Sequence, residues 1–200
     1  MIVLSILIAT VVEREHSFYE LLKELNKQIE EHNLNDKVEI CYISDNKELT
    51  IGSKRNGLLS MARGQYITFL DDDDMINEYY VPIIVKKLED DQPDCIGFSI
   101  RMTTNGENEQ ICDHSLRHKK EGWQTAKKGF DYIRNVTHFN PIKAHIAKSV
   151  GFPEVRYGED KVYSDAVTKL CFKESYVEGI YMIDYRYSNK QEHKAKYGIK

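Results

Sequence analysis

Apolar and polar positions fall in blocks along this chain, and the period changes from block to block. Residues 2–9 form an apolar run, interrupted by Ser5 alone and rich in β-branched side chains, as in a strand covered on both faces. Phe18, Leu21, Leu22, Leu25 and Ile29 then recur at three- and four-residue steps, which makes one apolar face of a helix with Glu and Lys opposite. A second short apolar run, 38–43, ends at Ser44-Asp45-Asn46. The pattern predicts a helix over 50–63 with Thr50 as its cap and Gly64 as its breaker. Residues 66–70 read as a third strand that runs straight into four aspartates. Pro82 suits the first turn of a helix over 81–88, and 94–101 reads as a fourth strand.

Strand and helix thus alternate through the first half. This order predicts an α/β fold with a Rossmann-like, mostly parallel central sheet and helices on both faces. Such sheets bind ligands beyond the carboxyl ends of their strands, which singles out Thr10, Asp45 and the run from Asp71 to Asp74. The second half is less regular. Residues 103–121 are polar and contain Asn105-Gly106, a turn signal, so a hairpin or a mobile loop is expected there. Short helices are expected over 126–134 and 142–150, the second closed by Gly151. A further helix is expected over 160–171, with Val162, Ala166, Val167 and Leu170 on one face. A late strand over 176–183 precedes a polar, basic tail.

The length of 200 residues suits one domain with its own core. A net charge of −4 without a basic stripe argues against a nucleic-acid partner. It leaves room for an anionic small ligand, because a bound divalent cation reverses the local field. Cys41, Cys95, Cys112 and Cys171 are widely spaced with no C-x-x-C pair, and Cys41 and Cys95 sit in apolar runs. Buried free thiols in a reducing, cytoplasmic setting are the simplest expectation. The N-terminal run is too short to span a bilayer, and no other segment is expected to cross one. An oligomer remains open.

The sharpest chemical feature is Phe69-Leu70-Asp71-Asp72-Asp73-Asp74. Adjacent carboxylates repel one another, and a hard divalent cation, Mn²⁺ or Mg²⁺, is their usual compensator. The bland reading is a solvated acidic loop; the position after a buried strand favours the metal. A second feature is Tyr157-Gly158-Glu159-Asp160, which is either a helix start with a favourable dipole or a positioned carboxylate base. A third is Gly52-Ser53-Lys54-Arg55-Asn56, whose cations oppose the dipole at a helix start unless they meet a pyrophosphate or the acidic run. The cluster of His114, His118, Lys119 and Lys120 is either a solvated loop or a contact for an anionic acceptor, and Trp123 is a candidate platform for a sugar ring.

Together these motifs resemble glycosyltransferase family 2, the inverting transferases of GT-A fold. The matching pieces are residues 5–10 with Arg14, the strand-end Asp45, Gly52-x-x-Arg55-Asn56, the stretch from Ala62 through Asp74, Asn140-Pro141-Ile142 to Gly151-Phe152, and Gly158-Glu159-Asp160. The resemblance runs from residue 2 to about residue 187. It implies that Ala9, Thr10 and Arg14 line the nucleotide pocket, that Asp45 accepts from the base, and that Arg55 lies close to the nucleotide. Asp71, Asp72 and Asp73 match the D-x-D motif, with Asp72 on the ribose and Asp73 on the metal. Asp160 is the implied general base with Glu159 beside it, and His193 is the candidate late metal ligand. Val11 and Val12 stand where an aromatic residue often stacks on the base, so UDP enters only as the commonest nucleotide of the donor.

On this reading residues 1–103 bind the nucleotide sugar, 104–187 supply the acceptor site and the base within the same domain, and 188–200 form a tail. The implied partners are a nucleotide-sugar donor and a glycan, lipid or protein hydroxyl acceptor. A catalytically silent nucleotide- or carbohydrate-binding module of the same fold is the alternative. A nucleotidyltransferase would need a glycine-rich loop after the first strand, and 9–15 has no glycine. A calcium loop would need alternating ligand spacing, which the aspartate run lacks.

Overall fold

The computed structural model describes residues 1–104, 107–119, 124–127, 129–155 and 158–187. The first half follows the alternating pattern except for an unexpected two-residue strand after β3: β1 (Leu4–Val11), α1 (Glu15–Glu31), β2 (Val38–Asp45), α2 (Ile51–Met61), β3 (Tyr66–Asp71), β4 (Met75–Ile76), α3 (Tyr80–Asp91) and β5 (Cys95–Thr104). There follow β6 (Glu107–His114), β7 (Gln124–Lys127), β8 (Phe130–Arg134), β9 (Ile142–Lys143), α4 (Ala144–Val150), α5 (Glu159–Leu170) and β10 (Glu174–Tyr187).

β1 lies between β2 and β3, parallel to both. Its apolar character is explained by burial on both faces. Leu4, Ile6 and Ile8 join a core with Leu21, Leu25, Ile84 and Leu88 of α1 and α3. Leu7, between them, points to a second core with Leu58 of α2, Ala147 of α4 and Val167 of α5. Helices therefore cover both faces of the sheet. Gln28 joins the two helices of the first face: its amide donates to the Asn77 carbonyl at 2.8 Å and accepts from Val81 N at 2.9 Å, which serves a donor in the first turn of α3.

Beyond β3 the sheet is mixed. β9 pairs antiparallel with β3 and β5, β6 antiparallel with β5, and β10 parallel with β5. The hairpin expectation around Asn105-Gly106 therefore holds, although those two residues lie outside the described ones. The helix expected over 126–134 is overturned. β7 and β8 form an antiparallel pair with Gln124 opposite Ile133, and β8 also pairs with β6. Backbone groups that a helix would satisfy internally are satisfied here by two neighbouring strands.

Three further expectations shift. Thr50 does cap α2, its hydroxyl accepting from Ser53 N at 3.1 Å. Gly64, however, is not the breaker of α2. The helix ends at Met61, and a Cβ on Gly64 would lie 2.6 Å from Ser5 N, so glycine is required by the close approach to β1. In α5 the period is right but the phase is off. Val162 and Leu170 are exposed, while Tyr163, Ser164, Val167 and Thr168 face inward. Tyr163 stacks on Phe152 with centroids 4.2 Å apart, and the Ser164 hydroxyl donates to the Val136 carbonyl, which outweighs the apolar character of Val162. All four cysteines are free, with Cys41 half-buried and the other three buried. No helix among the described residues is long and apolar enough to cross a membrane.

Candidate functional site

The strand register brings the polar groups of three strand ends together. Ala9 lies opposite Asp71 of β3, and Val11 lies opposite Asp45 of β2. Thr10, between them, is buried, and its hydroxyl donates to Asp72 Oδ2 at 2.7 Å. Arg14, in a single 3₁₀ turn after β1, donates from Nη1 to Asp72 Oδ1 at 2.7 Å and lies 3.2 Å from Asp73 Oδ2. Asp72 is thus buried with a partner on each oxygen.

The two cations at the start of α2 find separate carboxylates. Lys54, buried, donates to the Thr10 carbonyl at 2.7 Å and to Asp45 Oδ1, while Asp45 Oδ2 accepts from Leu49 N at 2.8 Å. Burial alone would raise the Asp45 carboxyl, but these donors outweigh it and hold it below its ordinary value. Arg55, also buried, is forked. Nη1 meets Glu159 Oε1 at 2.8 Å, and Nη2 meets Asp71 Oδ1 at 3.1 Å. Its guanidinium also lies over the Phe152 ring, 5.3 Å from the centroid. The fork joins the first turn of α5 to the end of β3. Gly52 makes this possible by letting α2 approach residues 152–154, since a Cβ there would sit 2.1 Å from the Pro153 carbonyl oxygen.

The aspartates are not equivalent. Asp71 is held well below the carboxylate range: burial works to raise it, but His138 and Arg55 outweigh burial. Asp73 is the open one, its side chain 45% exposed. Partial desolvation pushes its carboxyl up, Arg14 opposes this, and the charges of Asp71 and Asp72 add to the rise. Among the described residues no three metal-ligating side chains converge. Among the described residues a divalent cation would fit through Asp73 plus ligands from a bound phosphate, the pattern Mg²⁺ and Mn²⁺ commonly adopt. His193 lies outside the described residues.

Glu159 and Asp160 open α5, preceded by Gly158 at φ +81°. Glu159 is buried on Arg55, and burial, opposed by Arg55, raises its carboxyl. Asp160 is 34% exposed, and its carboxylate lies 3.7 Å from Arg134 Nη2. His114 and His118 do not form an exposed acceptor patch. Both are buried, His118 Nε2 2.6 Å from Asp113 Oδ2 and His114 Nδ1 3.2 Å from the Thr137 hydroxyl. Trp123 and Lys120 lie outside the described residues. Sequence patterning missed two site residues, Lys54 as the partner of Asp45 and His138 beside Asp71. The unfavourable cations at the start of α2 were a signal for the first; nothing in spacing marks the second.

The fold and the cluster at the strand ends define an α/β protein of GT-A type. The family model described as "Glycosyl transferase family 2" matches residues 20–146, and the chain belongs to that family. Among solved structures, S. aureus TarS 1–349 superposes with TM-score 0.66 at 18% identity, covering 92% of this chain and 60% of that one. TarS 1–349 in complex with UDP-GlcNAc gives TM-score 0.64 at 17% identity, covering 94% of this chain and 59% of that one. Its complex with UDP gives 0.65 at 17%, covering 98% and 63%. The chain therefore spans about three fifths of the length of these neighbours. Among curated proteins none matches it in sequence.

Proposed function

We propose that this chain transfers a sugar from a nucleoside-diphosphate sugar to a hydroxyl acceptor, in one in-line displacement with inversion at the anomeric carbon. The observation that carries the reading is the Arg55 fork, which brings the start of α5, with Asp160, to the end of β3, with Asp71 to Asp73. A base-bearing element and a phosphate-binding element are thereby braced as one unit. The UDP and UDP-GlcNAc complexes of the TarS neighbours support a uridine nucleotide as the first donor to try.

In this reading Asp45, polarised by Lys54, accepts an N–H from the base. Asp72, aligned by Thr10 and Arg14, keeps lone pairs for the ribose hydroxyls. Asp160 takes the proton from the acceptor hydroxyl as its oxygen attacks. Asp73 would hold Mn²⁺ or Mg²⁺ together with the donor diphosphate, and the cation supplies neutralisation of charge on the leaving group. Glu159 and Asp71 do not need to touch the reacting atoms, since they fix Arg55 and through it the spacing of the site.

Titration with UDP and UDP-sugars, with and without Mn²⁺, combined with a product assay, tests the proposal. Asp160→Asn is expected to lower transfer by about 10²-fold or more while leaving donor affinity unchanged. Asp73→Asn is expected to weaken donor binding in Mn²⁺ and to change little without it. Transfer at the parental rate by both variants sinks the mechanism. Donor binding with no turnover by the parent would instead favour a silent binding module.

A further inference from the structure

Asp160 stands one helical turn before Ser164 on α5, so the two side chains leave the same face of the helix. The buried Ser164 hydroxyl donates to the Val136 carbonyl at 2.7 Å, two residues beyond Arg134, where β8 ends. Val136 also packs in one core with Tyr163 and Val167 of α5. Four residues of helix advance about 6 Å. Two residues of extended chain advance about 6.6 Å. The Ser164 clasp therefore sets Arg134 beside Asp160, with Nη2 3.7 Å from Oδ2. The backbone of Arg134 is itself fixed. Its carbonyl accepts from Ser115 N at 3.1 Å, and it stands opposite His114 of β6.

This pair differs from the Arg55 fork. Glu159 is turned inward on Arg55, whereas the Asp160 side chain is 34% exposed. A part-exposed pair of this length contributes little to folding. Among the described residues no donor hydrogen-bonds the Asp160 carboxylate, and no second cation forms an ion pair with it. Without Arg134 the carboxylate would be free to rotate about its side-chain bonds. With it, Oδ2 faces a permanent cation and Oδ1 stays uncommitted. Contacts of this kind are commonly long before substrate arrives and tighten in the complex. Resting on the transfer reading above, we propose that Arg134 is a positioning residue for the base: it holds Oδ2 of Asp160 so that Oδ1 takes the proton of the acceptor hydroxyl. The acceptor O–H bond breaks toward Oδ1 as the acceptor oxygen bonds to the anomeric carbon. The nucleoside diphosphate leaves with the electron pair of the broken C–O bond.

The test measures UDP released from UDP-glucose, UDP-galactose and UDP-N-acetylglucosamine in Mn²⁺, with water as the acceptor. It compares the parent, Arg134→Met, Arg134→Lys, Asp160→Asn and the Arg134→Met/Asp160→Asn double variant. On the sugar nucleotide the parent turns over fastest, Arg134→Met should lower kcat by about tenfold, within the roughly 10²-fold that a misplacement of about 1 Å can cost. KM for the donor and Tm should stay near the parent's. Arg134→Lys should regain part of the loss. In the Asp160→Asn background the loss of Arg134 should add less than about twofold, because no carboxylate is left to hold. If Arg134→Met does not fold, Arg134→Lys takes its place, and its smaller loss must likewise vanish in the Asp160→Asn background. A raised KM, a loss that multiplies in the double variant, or parental turnover by Arg134→Met overturns the inference alone. Parental turnover by Asp160→Asn, or a parent that releases UDP from none of these donors, overturns the transfer reading, and this inference falls with it.

Discussion

At the scale of the residue, Arg55 is the group on which most depends. Its fork satisfies two carboxylates from distant parts of the chain inside the protein. Removing one partner of a buried ion pair leaves uncompensated charge, which costs about 3–5 kcal/mol. Arg55→Met should therefore shift the urea unfolding midpoint sharply downward, and Arg55→Lys should recover only part of the loss, because an ammonium cannot reproduce the planar fork. A midpoint equal to the parent's would mean that the fork does not hold the site together. Thr10→Val is a smaller probe. It strips a buried acceptor, Asp72 Oδ2, of its hydroxyl donor and should cost about 1–3 kcal/mol in the same experiment.

At the scale of the element, α2 matters through its first turn. Thr50 caps it, and Gly52 permits contact with the Pro153 carbonyl. An alanine in an exposed helix interior ordinarily gains about 1 kcal/mol over glycine. Here Gly52→Ala should instead lower the melting temperature, since the new methyl collides with backbone rather than with a flexible side chain. It should also lower transfer, because pushing 152–154 away strains the segment leading into α5 and its acids. A raised melting temperature would show that the contact is loose. Sequence pattern located α2 and its cap but not the requirement at Gly52. The reason is physical: helix signals are local, whereas the obstacle lies about a hundred residues downstream. The same holds for α5, whose periodicity is written in the chain while its rotational phase follows from Tyr163 meeting Phe152.

At the scale of the whole molecule, Asp94 ties together segments that meet only in the folded state. Its carboxylate accepts from Lys143 Nζ of β9 at 2.9 Å and from the backbone N–H groups of Phe172 and Lys173, just before β10, at 2.9 Å each. Burial works to raise its carboxyl, but these donors outweigh it and depress it to about 2. An unfolded aspartate titrates near about 3.9, so the folded protein binds this proton more weakly than the unfolded chain does. The stabilisation is thus fully present above about pH 4 and drains away as the pH falls toward 2. Asp94→Asn should be less stable than the parent at neutral pH, and the gap should close between pH 4 and pH 2 in urea titrations. A gap that stays constant through that range would exclude the linkage.

By itself, the amino-acid order determined the α/β class, the alternation of elements as far as β5 apart from the short β4, the strand-end position of Asp45 and Asp71 to Asp74, and the acidic opening of α5. All of these follow from local period and from turn and cap chemistry, which neighbouring residues suffice to express. Tertiary structure alone decided the β7–β8 pairing, the partners of Lys54 and Arg55, the burial of His114 and His118, and the placement of His138 beside Asp71. Each of those depends on which distant segments come within a few ångströms, and burial changes the free energy of a polar or charged group far more than its sequence neighbours do.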